Sequence, residues 1–173
     1  MKNFSRASQR AAQLLVSIFL SVSFAGFFVG VAQAADPVWQ VSEDNTAYPI
    51  TVYRSTTCGC CKAWVAHLRE HNFAVKEVTD SEMNTVKRAF GVPQQMASCH
   101  TATVNGKLIE GHVPAQDIKR LLAADNDIRL LSVPGMPSGT PGMDMPGAPK
   151  HDFKVYAANT EGEVSVFSEY AGY

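Results

Sequence analysis

The stretch Ile50-Thr-Val-Tyr-Arg-Ser-Thr-Thr-Cys58-Gly-Cys60-Cys61-Lys-Ala-Trp64-Val-Ala-His67-Leu-Arg-Glu-His71 decides how this chain is read. Its first six residues alternate and are rich in β-branched and aromatic side chains, which predicts a strand. Thr56 and Thr57 break the pattern, and a tetrapeptide with three thiols follows. From Lys62 to His71 the period changes to that of a helix, with Trp64, Val65 and Leu68 on its inner face. The chain thus places a cysteine cluster where a strand hands over to a helix.

Working outward, Phe73–Thr79 reads as a second strand, and Ser81–Phe90 as a second helix capped by Asp80 or Ser81 and stopped by Gly91-Val-Pro93. His100–Val104 and Lys107–Glu110 flank Asn105-Gly106, a strong hairpin signal. Pro114 opens a third helix through Leu122. The order β-α-β-α-β-β-α is that of a thioredoxin/glutaredoxin-like α/β core, in which a cysteine motif at a helix start is the functional centre. Phe153–Ala158 and Glu163–Tyr170 predict a C-terminal β-hairpin added to that core. Ahead of that hairpin, residues 134–150 hold five of the nine prolines, four glycines and Met136, Met143 and Met145, a composition that predicts a loop or mobile segment.

The N-terminus reads as a targeting segment. Lys2, Arg6 and Arg10 precede an apolar run from Leu14 to Val31 and the small-x-small site Ala32-Gln33-Ala34, which predicts a signal peptide over 1–34 and export to the periplasm. With no cysteine near the cut, a lipid anchor is not expected. Loss of the three cations would move the formal charge from −1 to −4. Such a protein offers no basic surface to nucleic acid and no polybasic stripe to a membrane. A polar lead-in at 35–49 then precedes one domain at 50–173, long enough to bury a core without disulfide staples.

The four cysteines are therefore free for chemistry. Cys58 and Cys61 have the Cys-x-x-Cys spacing of a redox pair, and helix-start thiols favour the thiolate, the form that attacks disulfides and binds metals. Cys60 between them is an unwanted third partner for a dithiol exchange enzyme. Cys99 lies where the glutaredoxin arrangement has its cis-proline, with Pro93 six residues too early, and so faces the cluster from the other side. Four converging sulfurs suit a tetrahedral zinc ion. The side chains of neighbouring Cys60 and Cys61 diverge, however, and bridging thiolates shared among several Cu(I) ions relax that constraint. Copper is the preferred metal, zinc the lesser alternative, and a pair of structural disulfides the plainest one.

The remaining soft and nitrogen donors sort around this cluster. His100 follows Cys99 directly and is a ligand candidate; His112, in Glu110-Gly-His-Val-Pro114, is a weaker one. Met136, Met143 and Met145 are weaker still, since methionines are tolerated in any loop. His67 and His71 lie one turn apart below the cysteines and read as surface residues.

Taken together, Thr57-Cys-Gly-Cys-Cys61 with Trp64 and Leu68, Gly91-Val-Pro93, Ser98-Cys-His-Thr101, Glu110-Gly-His-Val-Pro114 and Val133-Pro-Gly-Met-Pro137 resemble the CopG-type family of periplasmic copper-resistance proteins. The resemblance runs from Ile50 to the C-terminus. It implies a thioredoxin-like fold, copper bound through Cys58, Cys60, Cys61 and Cys99, and a role beside copper chaperone or efflux components. The expectation is a protein that holds Cu(I) and cycles it with Cu(II); the alternative is a thiol–disulfide oxidoreductase using Cys58 and Cys61.

Overall fold

A computed structural model describes Trp39 and residues 46–173. The expected signal peptide, with its cleavage site, and most of the polar lead-in lie outside the described residues, none of whose helices is long and apolar enough to cross a membrane.

The chain forms β1 (Tyr48–Arg54), α1 (Gly59–Glu70), β2 (Phe73–Thr79), α2 (Met83–Phe90), β3 (Thr101–Val104), β4 (Lys107–Glu110), α3 (Ala115–Ala123), β5 (Ile128–Ser132), β6 (Phe153–Asn159) and β7 (Val164–Tyr170). This is a mixed α/β fold, with one seven-stranded sheet in the order β2-β1-β3-β4-β5-β6-β7. β1 runs parallel to β2, with α1 as the crossover, and antiparallel to β3. β3 and β4 form the expected hairpin, closed by Asn105 at φ 45° and Gly106 at φ 75°, the pair of positive φ values that a tight hairpin turn requires.

Helix starts and stops follow local chemistry. Asp80 Oδ1 accepts the Glu82 N–H at 2.7 Å, but α2 begins at Met83, two residues later than the expected Ser81. Its end is as expected: Gly91 adopts the left-handed conformation at φ 67°. On α1, Trp64, Val65 and Leu68 are buried and meet Ile50 and Val52 of β1 in the main core. Each such side chain contributes roughly 1.5–3 kcal/mol through its removal from water.

Two departures from the sequence reading bear on the site. The C-terminal hairpin does not join the first four strands directly, because β5 lies between, parallel to β4 and antiparallel to β6. Ile128-Arg-Leu-Leu-Ser132 lacks alternation because both faces of the strand are covered: Leu131 belongs to the main core, Leu130 to a second cluster with Met96, Leu108 and Ala158. The Pro/Gly/Met segment, expected as a loose loop, is tied down as a strap. Gly135 N–H donates to Ala97 O at 3.2 Å, His151 N–H to Ser138 O at 2.9 Å, and Thr140 is fully buried.

Candidate metal centre

Cys58 is the N-cap of α1, and its Sγ accepts the Cys61 N–H at 3.3 Å. No acidic side chain occupies that first turn, so the cysteines alone face the positive end of the helix. Cys58 and Cys61 are joined in a disulfide, while Cys60 and Cys99 are free thiols. Cys60 Sγ lies 3.5 Å from Cys58 Sγ. All four sulfurs lie within 4.8 Å of one another. The expected divergence of Cys60 and Cys61 is thus not a separation: their Cα atoms are only about 3.8 Å apart and their side chains are short, so both sulfurs stay in the cluster.

Cys99 is delivered from the opposite side by residues 96–100, a segment with almost no regular structure and many tethers. Ser132 Oγ donates to Met96 O at 2.6 Å, Gly111 N–H to His100 O at 3.0 Å, and Ser98 Oγ to Gly135 O. The Ser98 N–H donates to Glu110 Oε1 at 2.7 Å. Glu110 is fully buried, and its charge is met by Lys87 Nζ at 2.6 Å and by Thr101 Oγ1 at 2.7 Å. Gly111 permits this approach: at φ +72° a Cβ would fall 2.5 Å from Ser98 Cβ and 2.6 Å from Val133 O. Sequence reading missed the Lys87–Glu110–Thr101 network, because a lysine on a short amphipathic helix reads as solvated.

Two imidazoles complete the centre. His100 Nδ1 and His112 Nε2 are each 3.1 Å from Cys99 Sγ, and both rings are fully buried. With Cys99 they form a second possible donor set, its atoms within 4.8 Å of one another. His112, the weaker candidate from sequence, is therefore as close to Cys99 as His100 is. Trp64 backs His100 with ring centroids 4.3 Å apart and donates its Nε1–H to Val113 O at 2.9 Å. Burial holds both histidines below their ordinary pKa, His100 well below, so both rings are neutral with a lone pair to offer. Burial, then the neighbouring Cys60, pushes the Cys99 thiol up to about 12. A thiol so disfavoured as a lone anion ionises when a cation takes the place of its proton.

The other candidates separate. Met136 and Met145 are 56% and 69% exposed, and Met143 is half-buried. His67 and His71 are not on the surface. His67 Nε2 accepts the Ala115 N–H at 3.1 Å, and His71 Nδ1–H donates to His67 O at 2.7 Å, so the pair ties α1 to the start of α3. Their spacing does put both on one face of α1, but nothing in it reveals that α3 covers that face.

Fold and site together define a class: a small α/β protein that presents a thiol cluster, flanked by buried imidazoles, at a helix start. Residues 96–143 match the family model described as "Protein of unknown function, DUF411". No curated protein matches the chain. Among solved structures, "Copper resistance protein copG- Form 2" is 42% identical, with a TM-score of 0.68, over 72% of this chain and 99% of that one. "Copper resistance protein copG- Form 1" is 44% identical, with a TM-score of 0.67, over 72% and 98%. The chain belongs to the CopG-type family of copper-resistance proteins.

Proposed function

We propose that this chain is an exported, periplasmic copper-binding protein of copper resistance that holds Cu(I) on Cys58, Cys60, Cys61 and Cys99, with His100 and His112 as nitrogen ligands alongside. One observation carries the reading: four cysteine sulfurs lie within 4.8 Å of one another, and one of them, that of Cys99, is shared with a second donor set of two imidazoles. The donors fit copper on two counts. Soft sulfur selects Cu(I), and imidazole suits copper in either oxidation state. His100 Nε2 is moreover a buried ring nitrogen with no hydrogen-bond partner among the described residues.

The frame supports the same reading. The order β2-β1-β3-β4, with β1 and β2 parallel and the other pairs antiparallel, is what a thioredoxin/glutaredoxin-like core requires. Clustered sulfurs allow bridging thiolates, hence several Cu(I) ions, and Met136, Met143 and Met145 are candidate outer ligands on the strap. The partners in this reading are copper ions and, beyond them, periplasmic copper chaperone or efflux components.

The Cys58–Cys61 disulfide gives the site its redox dimension. A dithiol reductant that gives up two electrons and two protons, and is itself oxidised to a disulfide, converts it to two thiols, and the four-sulfur site is then complete. In the reverse direction, two Cu(II) ions become two Cu(I) as two thiols form one disulfide and release two protons. The same disulfide is what a thiol–disulfide oxidoreductase would carry, so the test has two arms. Reduced protein is titrated with Cu(I) and, separately, assayed for insulin reduction. Copper bound in more than equimolar amount, lost on Cys99→Ser, supports the proposal. Insulin reduction that survives Cys60→Ser and Cys99→Ser would replace it, and a single colourless, redox-silent ion would indicate zinc.

A further inference from the structure

The Pro/Gly/Met strap meets an imidazole of the centre through its main chain, and the contact sets where the proton of that ring sits. His112 Nδ1 lies 2.8 Å from the main-chain oxygen of Pro141. A carbonyl only accepts, so Nδ1 carries the proton, and in the neutral ring Nε2 is bare. That bare nitrogen is 3.1 Å from Cys99 Sγ and accepts the thiol proton. The thiol has one proton to give. His100 Nδ1, 3.1 Å from the same sulfur, is therefore a donor to it, and His100 Nε2 is left as a lone pair. One backbone carbonyl thus sets the proton of His112 and, through it, that of Cys99.

The strap reaches that position because of Gly142. At φ +82° a Cβ there would lie 2.6 Å from Trp64 N and 2.8 Å from Cys60 O, main-chain atoms of the first turns of α1. Helix backbone cannot give way as a flexible side chain can, so only glycine lets the strap sit this low. The turn is closed by the Gly142 N–H donating to Asp144 Oδ1 at 3.0 Å.

We infer that Gly142 and the Pro141 carbonyl are a positioning device, which seats the strap on α1 and holds His112 with its proton on Nδ1 and its Nε2 lone pair facing Cys99. The inference rests on the copper-binding reading for its consequence: a metal that displaces the Cys99 proton meets an imidazole already in the right tautomer. Fixing a ligand ring through its other nitrogen typically changes metal affinity by about 10–100-fold.

The test uses the full mature chain, reduced and metal-free, labelled with 15N. Long-range 1H–15N correlation reports the tautomer of each ring. Wild type is expected to show His112 as the Nδ1–H form. Gly142→Ala, which lifts the strap, is expected to shift His112 toward the Nε2–H form; Asp144→Ala, a milder surface change, should do so in part. Cu(I) competition titration should then show an affinity at least about 10-fold weaker in Gly142→Ala, with stoichiometry kept. A wild-type His112 protonated on Nε2 overturns the inference, and so does an unchanged His112 spectrum and copper affinity in both variants. If Gly142→Ala does not fold, the wild-type spectrum and Asp144→Ala still decide. A wild type that binds no copper but has the Nδ1–H ring defeats the functional reading and leaves the tautomer assignment standing.

Discussion

The carboxylate of Glu110 accepts the main-chain N–H of Ser98 at 2.7 Å, and so anchors the residue just before Cys99 from the end of β4. The same carboxylate is neutralised by Lys87 from α2. A buried ion pair is weak evidence for stability, because the desolvation cost offsets much of the attraction. Here it spans α2, β3, β4 and the Cys99 segment, which gives it a positional role.

Removing one partner leaves an uncompensated buried charge. Glu110→Ala should lower the unfolding free energy by about 3–5 kcal/mol. The double variant Lys87→Met, Glu110→Leu should recover most of that stability while leaving Ser98 without its acceptor. Urea denaturation checks the first effect. Cu(I) competition titration checks the second, with weaker binding expected in the double variant despite near-normal stability.

His67 makes metal-free stability depend on pH. Burial, and then the nearby His71, lowers the pKa of His67 from 6.5 to about 3. As pH falls through 6.5, the unfolded chain takes up this proton and the folded one does not. Stability is therefore full above pH 6.5 and is lost progressively down to about pH 3, at roughly 1.4 kcal/mol per pH unit for this one group. Urea midpoints measured between pH 7 and 5 should show that loss, and His67→Gln should remove about one proton from the slope.

Much of this arrangement could be read from residues alone, where the information is local. A β-rich alternation ending in thiols at a helical period placed the cluster at the start of α1. Asn105-Gly106 marked the β3–β4 hairpin, and Gly91 the end of α2. What escaped was set by packing between distant segments. β5 has no period because it is buried on both sides. Lys87 and Glu110, 23 residues apart, find each other only in the folded chain. His67 reads as exposed until α3 is laid over it, and the strap reads as loose until Gly142 is seen against Cys60 and Trp64.

Gly111 lies against the Cys99 segment as Gly142 lies against α1. Gly111→Ala would drive a Cβ into Ser98 and the Val133 carbonyl at a positive φ. The expected outcome is a loss of about 1–3 kcal/mol of stability, with displacement of Cys99. Faster alkylation of Cys99 by iodoacetamide in the reduced, metal-free variant measures that displacement; an unchanged rate contradicts it.

The central claim is that the four sulfurs act together on copper. Mature protein purified anaerobically from copper-fed cells should carry more than one copper per chain, with all four thiols shielded from a thiol reagent until the metal is stripped. Cys99→Ser should lose copper and expose the remaining thiols. Metal-free protein with two free thiols and a reversible Cys58–Cys61 disulfide, unchanged by added Cu(I), would contradict the account.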